Sequence, residues 1–330
     1  MSRLPRRHFM LGVAALIAAP RDGGAQNRDK SYRIGILQAG SRELTDKLSG
    51  VPFVSALAEL GYVEGRNLRV ETRYAEGNLE RLPGLAEEIV AGKPDLIFAP
   101  AGPGASAAKA RTTTIPIVYC FVNDPVALGF AQSLARPGGN LTGLSNYSHA
   151  AASKRVELLK EIVPKVARLA IWYSPDAVND AVELREVESA TARLGMQVLE
   201  LKTRNPGEYE AVAAASRKWN ADAVYVSSNP TNFANHKQII ALIAGLRRPA
   251  ALPTTVFVED GGLMTYTVSF PDLARRAAAY ADKILRGAKP GELAVEQPNK
   301  LELVINAGTA KALGIIIPQS VVMRADRVVE

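Results

Sequence analysis

The chain has 330 residues, 47% apolar and 22% charged, a length that favours two domains and a composition that excludes an intrinsically disordered chain. Its formal net charge is +7, of which the first 25 residues supply +3 (Arg3, Arg6, Arg7 and Arg21 against Asp22), leaving +4 for the remainder. There the basic residues alternate with acids along helical faces, as in Glu183-Leu184-Arg185-Glu186, which reads as a solvated face and points away from a nucleic-acid partner.

The amino terminus has the form of an export signal. Arg6-Arg7-His8-Phe9-Met10 is followed by an apolar run, Leu11 to Ala19, and by Gly23-Gly24-Ala25-Gln26, with a cleavage site expected after Ala25. The apolar run is shorter than the roughly 20 residues that span a bilayer. Paired arginines before Phe9 resemble a twin-arginine signal, with a plain secretory leader as the alternative. No cysteine follows the run to carry a lipid anchor, so the mature chain is expected free in the periplasm, starting near Gln26.

From Ser31 onward short apolar strands alternate with amphipathic helices. Strands are expected at Arg33 to Leu37, Leu68 to Tyr74, Asp95 to Ala99, Ile117 to Phe121 and Leu141 to Asn146. A helix near Val51 to Leu60 and one with Leu79, Leu82, Ala86 and Ile89 on a single face end at Gly61 and Gly92, where a left-handed residue is cheap. The pattern then restarts, with strands at Leu169 to Tyr173, Val198 to Lys202 and Ala223 to Ser227 and an Asn205-Pro206 helix start between them. The second pass echoes the first. Leu60-Gly61-Tyr62 before Leu68 matches Leu194-Gly195-Met196 before Val198, and Asp95-Leu96-Ile97-Phe98 matches Asp222-Ala223-Val224-Tyr225. Alternating βαβα implies an α/β fold of two Rossmann-like lobes with parallel sheets. After Pro249 come strands near Ala251 and at Leu263 to Thr267, a helix from Pro271 to Arg286, a strand at Glu302 to Ile305 and a helix from Gly308 to Leu313. An economical path takes the chain back to the first lobe and out again. Residues 31–145 with 254–293 then form the N-terminal lobe, residues 146–253 with 294–330 the C-terminal lobe, and the crossings a hinge.

Ligands of open parallel sheets bind beyond the carboxyl ends of the strands. The loops there are Gln38-Ala39-Gly40-Ser41-Arg42, Pro100 to Ser106, Val122-Asn123-Asp124-Pro125, Ser174-Pro175-Asp176 and Ser227 to Asn232. They are rich in small and amide residues and poor in acid–base pairs. The helix opening at Gly102-Pro103-Gly104-Ala105-Ser106 offers free N–H groups and the Ser106 hydroxyl to a carboxylate, while Gly102 and Gly104 would let a ligand reach the backbone. A tight strand-to-helix turn accounts for the same glycines. Asp124 before Pro125 reads equally as an acceptor for an ammonium group and as a helix cap. Ser174, Asn229 and Asn232 would read the rest of the ligand, and Tyr173 is a candidate to face the cleft beside a buried Trp172. Cys120, in the apolar run Ile117 to Phe121, reads as a buried strand residue. His8, His149 and His236 are scattered, and no nucleophile elbow, zinc-protease or phosphate-loop motif is present. No catalytic residue, metal or cofactor is therefore expected.

Three longer segments are more particular: Ala135-Arg136-Pro137-Gly138-Gly139-Asn140-Leu141-Thr142-Gly143, Glu259-Asp260-Gly261-Gly262-Leu263-Met264-Thr265-Tyr266, and Gln297-Pro298-Asn299-Lys300-Leu301-Glu302-Leu303-Val304-Ile305-Asn306. With Ala310-Lys311-Ala312-Leu313-Gly314 they resemble the ABC transporter substrate-binding proteins similar to the tryptophan-binding TrpX group, of type I periplasmic-binding fold. The likeness runs from about Tyr32 to the C-terminus. It implies two lobes joined by three crossing strands, closing on a ligand held by the loops at Gln38 to Ser41, Ala101 to Ser106, Asn123-Asp124, Asn146, Ser174, Asn229 and Glu259. Ser174-Pro175-Asp176-Ala177-Val178 departs from the family's Asn-Pro-Ala-Asn-Pro, and Leu252-Pro253-Thr254 from its Tyr-Gly-Phe-like stretch, so an aromatic amino acid is not implied. The expected function is that of a monomeric periplasmic solute-binding component of an ABC importer. It would close on a small polar ligand, an amino acid or related carboxylate, and deliver it to an inner-membrane permease. A sensing subunit for a signalling receptor is the alternative, and a secreted hydrolase using Asp124 or Glu259 a third reading.

Overall fold

The structure is a computed structural model that describes residues 30–146, 148–298 and 300–330, without the side chains of residues 148–150, 178 and 179. The leader, Asn299 and the His149 side chain lie outside the described residues. The first lobe runs β1 (Tyr32–Gln38), α1 (Arg42–Thr45), a π-helical turn (Asp46–Gly50), α2 (Val51–Glu59), β2 (Leu68–Tyr74), α3 (Leu82–Ala91), β3 (Leu96–Phe98), α4 (Gly102–Lys109), β4 (Ile117–Val122) and β5 (Leu141–Ser145). Then follow α5 (Ser148–Ile162), β6 (Arg168–Tyr173), α6 (Val178–Arg193), β7 (Gln197–Lys202), α7 (Tyr209–Lys218), β8 (Ala223–Val226), α8 (Pro230–Ala234), α9 (His236–Leu246), β9 (Ala250–Leu252), α10 (Thr255–Glu259) and β10 (Met264–Thr267). The chain ends with α11 (Phe270–Leu285), β11 (Glu302–Asn306), α12 (Ala307–Ala312), α13 (Gln319–Val322) and β12 (Arg327–Val329).

Two sheets result. The first is all parallel in the order β2-β1-β3-β4-β5, and the second runs β12-β11-β10-β9-β8-β6-β7, antiparallel only between β10 and β11. Within the second, β7-β6-β8-β9-β10 repeats the order of the first, and the sequence echo has a physical basis. Asp95 Oδ2 accepts from the Arg33 N–H at the start of β1 (2.8 Å), and Asp222 Oδ2 accepts from the Arg168 N–H at the start of β6 (2.9 Å). Gly61 (φ 94°) and Gly195 (φ 65°) both turn the chain out of a helix with positive φ. Gly92 does not: its φ is −67°, and the left-handed residue is Lys93 at φ 48°.

The segment ending at Gly143 is structural. Gly143 has φ 153°, and a Cβ there would lie 1.9 Å from Tyr119 O, where the register between β4 and β5 shifts. Only glycine lets the two backbones pass this closely.

The expected lobe boundary at residue 254 is corrected. β10 pairs with β9 and β11, so Met264–Thr267 stand in the second sheet, and the chain runs back into the first lobe with α11. The apolar stripe of α11 (Phe270, Leu273, Ala274, Ala277, Ala281) packs with Phe53, Leu57 and Leu96 of the first lobe. Antiparallel pairing of β10 with β11 joins residues 35 or more apart in sequence, which periodicity cannot register. Three passages connect the lobes: Ser145–Asn146, Thr267–Ser269 and the segment around Glu296, which lies parallel to the end of β5 through Ser145 N–H to Glu296 O (2.8 Å).

Candidate functional site

The carboxyl ends of the strands meet across a cleft of about 430 Å³. Gln38, Ala101, Gly102, Ser106 and Asn123 line it from the first lobe, Asn146 from the hinge, and Ser174 and Asn229 from the second lobe. The other expected residues lie elsewhere. Ser41 precedes α1, its carbonyl accepting from Thr45 N–H (3.0 Å) and Oγ1 (2.7 Å). Ala105 is wholly buried in the first-lobe core, and Gly104 faces β1, where a Cβ would sit 3.0 Å from Leu37 O, so its small size serves packing. Asp124 is exposed, and its Oδ1 accepts from the N–H groups of Val126 (3.0 Å) and Ala127 (2.9 Å), capping the turn that follows, where no helix forms. Tyr173 is buried, its hydroxyl donating to Glu200 (3.1 Å). Asn232 lies behind Asn229, and Glu259 is taken up by Lys47 (2.6 Å) and Arg327 (2.8 Å).

Residues outside the expected set complete the lining. One wall is apolar: Leu44, Leu48, Phe121, Phe233 and Phe270, with Phe121 and Phe270 ring centroids 4.6 Å apart and Phe233 5.9 Å from Phe270. As isolated apolar residues they read as core. The charged residues among the lining are Asp176 and Arg204, both on the second lobe, 3.5 Å apart and largely exposed. At the hinge, Asn146 is 5% exposed, yet its Oδ1 has no donor among the described residues. An unpaired buried acceptor costs about 1–3 kcal/mol, so this atom is suited to an N–H donor from a ligand.

The second-lobe amides are already committed. Asn229 Nδ2 donates to Asp180 Oδ2 (2.8 Å) and Ser227 Oγ (3.1 Å), and its Oδ1 accepts from Asn232 N–H (2.8 Å). Asn232 Nδ2 donates to Ser227 O (2.9 Å), and its Oδ1 accepts from the Tyr209 hydroxyl (2.8 Å). Besides the Phe233 ring, this lobe therefore offers a ligand hydroxyl (Ser174, Ser228, Thr231) and charge (Asp176, Arg204).

Behind this wall two buried carboxyl groups stand one turn apart on α6. Asp180 Oδ2 accepts from Ser174 N–H (2.7 Å), Ser227 Oγ–H (2.6 Å) and Asn229 Nδ2–H. Glu183 accepts from Tyr225 Oη (2.6 Å), Ser228 N–H (3.0 Å) and Arg155 (2.9 Å), whose guanidinium lies over the Tyr225 ring. Glu183 is 1% exposed, which corrects the solvated-face reading of Glu183-Leu184-Arg185-Glu186 at that residue. Burial first, and the Glu183 charge second, push Asp180 up to about 7 against the pull of its hydrogen bonds. Burial also raises the Cys120 thiol well above its usual range, making it an inert core residue.

Ion pairs join the lobes at one rim, Lys47 with Glu259 and Glu43 with Lys237 (3.1 Å). Among the described residues no group of three or more His, Cys, Asp or Glu is placed to hold a metal, and no helix is long and apolar enough to cross a membrane.

The family description "ABC transporter substrate binding protein" matches residues 34–329. A tyrosine-binding protein of Clostridioides difficile is 28% identical over 313 residues, 92% of this chain and 89% of the relative. The structure of an ABC domain in complex with L-Trp from Streptococcus pneumonia is 26% identical, with a TM-score of 0.83 over 91% of this chain and 100% of that one. A ligand-free, open substrate-binding protein with adhesive properties from Clostridium difficile is also 26% identical, but its TM-score is 0.68 over 90% of this chain and 99% of that one.

Proposed function

This chain belongs to the ABC transporter substrate-binding protein family, and on that premise we propose that it binds an amino acid with a bulky apolar side chain, closes on it and delivers it to a membrane permease. The observation that carries this reading is the pairing, in one interlobe cleft, of an apolar wall of Leu44, Leu48, Phe121, Phe233 and Phe270 with polar groups suited to a zwitterion. The start of α4 and Ser106 would receive the carboxylate. The ammonium would donate to Asn146 Oδ1 at the hinge and to Asp176 across the cleft. That replaces Asp124, whose carboxylate is occupied as a cap. Closure then brings together groups that each lobe holds separately. The relatives named for tyrosine and L-Trp support the ligand class. The better agreement with the Trp-bound structure than with the open one, at equal identity, supports a closing hinge.

The Arg6-Arg7 leader supports export to the periplasm with cleavage near Ala25. Replacing both arginines by lysine is expected to block export. Unchanged export would discard the twin-arginine route, and an uncleaved membrane-bound product would discard the localisation.

A thermal-shift screen over the amino acids tests the ligand reading. A ligand at about 100 times its dissociation constant adds roughly 2.7 kcal/mol of stability. Shifts confined to large apolar and aromatic amino acids, with the ligand recovered unaltered, are expected. A screen in which no amino acid shifts the transition, or recovery of a chemically changed ligand, would overturn the reading.

A further inference from the structure

We propose that Asp180 is the positioning residue of the second lobe's ligand wall, a carboxyl group that never meets the ligand but gathers the two loops that do. The wall is built from the loops after β6 and β8, whose lining residues include Ser174 and Asn229. The sheet ties these strands as far as Trp172 and Val226, and the last backbone bond runs from Ser227 N–H to Trp172 O (3.0 Å). Beyond that bond Asp180 takes over. Its Oδ2 receives the Ser174 N–H at 2.7 Å from one loop, and the Ser227 hydroxyl at 2.6 Å and the Asn229 amide at 2.8 Å from the other. Fixing Asn229 also fixes the start of α8, because Asn229 Oδ1 caps it through Asn232 N–H. Ser174, Asn229, Thr231 and Phe233 thus take their places at the cleft from one oxygen atom.

The other oxygen explains how a buried carboxyl group fills this role. Asp180 is fully buried, and Oδ1 has no hydrogen-bond partner among the described residues. A proton on Oδ1 leaves all three bonds to Oδ2 in place, so the hub holds together whether charged or neutral. The titratable and charged groups around it are Glu183 on its own helix, Tyr209 on α7, Tyr225 on β8, and Arg155 on α5, which neutralises Glu183. Burial and the Glu183 charge place the Asp180 transition at about 7. Charged acceptors bind donors more strongly than neutral ones. While Asp180 stays buried, release of the Ser174 N–H alone therefore becomes harder as pH rises through neutrality, although the fold as a whole loses stability over the same range. This is separate from the identity of the ligand, although its effect on affinity rests on the amino-acid reading above.

Amide hydrogen exchange on the mature, ligand-free chain tests it, with rates corrected for intrinsic pH dependence. In the wild type, protection of the Ser174 amide should rise between pH 6 and pH 8, with Ala75 of the first lobe as an unchanging reference. Asp180→Asn keeps the shape of the neutral form, so it should hold the Ser174 amide protected at a level independent of pH. Asp180→Ala should expose that amide by about tenfold or more. Should Asp180→Ala not fold, Ser227→Ala decides: losing one donor that favours the charged form must move the midpoint of the Ser174 profile upward. A flat wild-type profile, or wild-type protection in Asp180→Ala, overturns the proposal, as does an unmoved midpoint in Ser227→Ala. Titration with L-tyrosine as the probe adds the functional arm, with Asp180→Ala at least tenfold weaker and Asp180→Asn close to wild type. If the wild type ignores L-tyrosine, the ligand reading suffers while the exchange result still decides the role of Asp180.

Discussion

At Asp124 two readings of one residue separate cleanly. Its carboxylate is bound to the amides of Val126 and Ala127 and faces solvent outside the cleft. Asp124→Ala is expected to lower stability by about 1 kcal/mol, and Asp124→Asn, which caps equally well, hardly at all. Neither should change ligand affinity by more than about twofold, measured by chemical denaturation and calorimetry. A tenfold loss of affinity in Asp124→Asn would restore the ammonium-partner reading. The buried residues behave differently. Arg155 and Glu183 are each 1% exposed, so Arg155→Met leaves an uncompensated carboxylate and should cost about 3–5 kcal/mol. Asp180 gives a pH signature with a fixed sign. Its folded value of about 7 lies above the 3.8 of the free side chain, so folding favours the protonated form. That stabilisation is full below about 3.8 and is lost as pH rises through about 7. The melting temperature of the wild type should therefore fall between pH 5 and 8 relative to Asp180→Asn, and parallel curves would contradict the assignment. None of this was legible in the sequence. On α6 the acids Asp180 and Glu183 share the exposed-looking pattern of any amphipathic helix, and only the converging loops reveal that their face is covered.

The elements were far more readable than their partners. Apolar runs bounded by turn residues located β1 to β8 to within a residue or two, most plainly the central strands buried on both faces, whereas the exposed β12 at the sheet edge was not foreseen. The repeat was legible too, since Asp95 and Asp222 each fasten a neighbouring strand through the same bond. What failed was assignment across long sequence separations: β10 belongs to the second sheet by its pairing with β9 and β11. The site divided in the same way. Gln38, Ser106, Asn123 and Ser174 from the strand-end loops, and Asn146 from the family resemblance, lie along the cleft, but the phenylalanines of the apolar wall come from three separate elements and share no motif. The segment closing at Gly143 makes a prediction at this scale. Gly143→Ala drives a methyl group into Tyr119 O at the β4–β5 crossing and should cost about 3 kcal/mol or more, seen as a large drop in melting temperature. A near-neutral substitution would mean that the two strands separate more easily than the packing allows.

For the whole molecule, the proposed function requires the two lobes to move about their three chain passages. The rim pairs Lys47–Glu259 and Glu43–Lys237, with Phe233 against Phe270, connect the lobes in the arrangement seen here. Burial pushes Glu259 up, but the hydrogen bonds and charges of Lys47 and Arg327 outweigh it and hold the group below its usual 4.5. Its contribution is full above about 4.5 and fades as pH falls through the depressed value, so acid should favour opening. Salt should do the same, because exposed pairs are screened. Small-angle X-ray scattering, with and without the amino acid that the thermal screen identifies, measures lobe closure itself. A smaller radius of gyration is expected with ligand present, and the same radius in both states would contradict closure on the ligand.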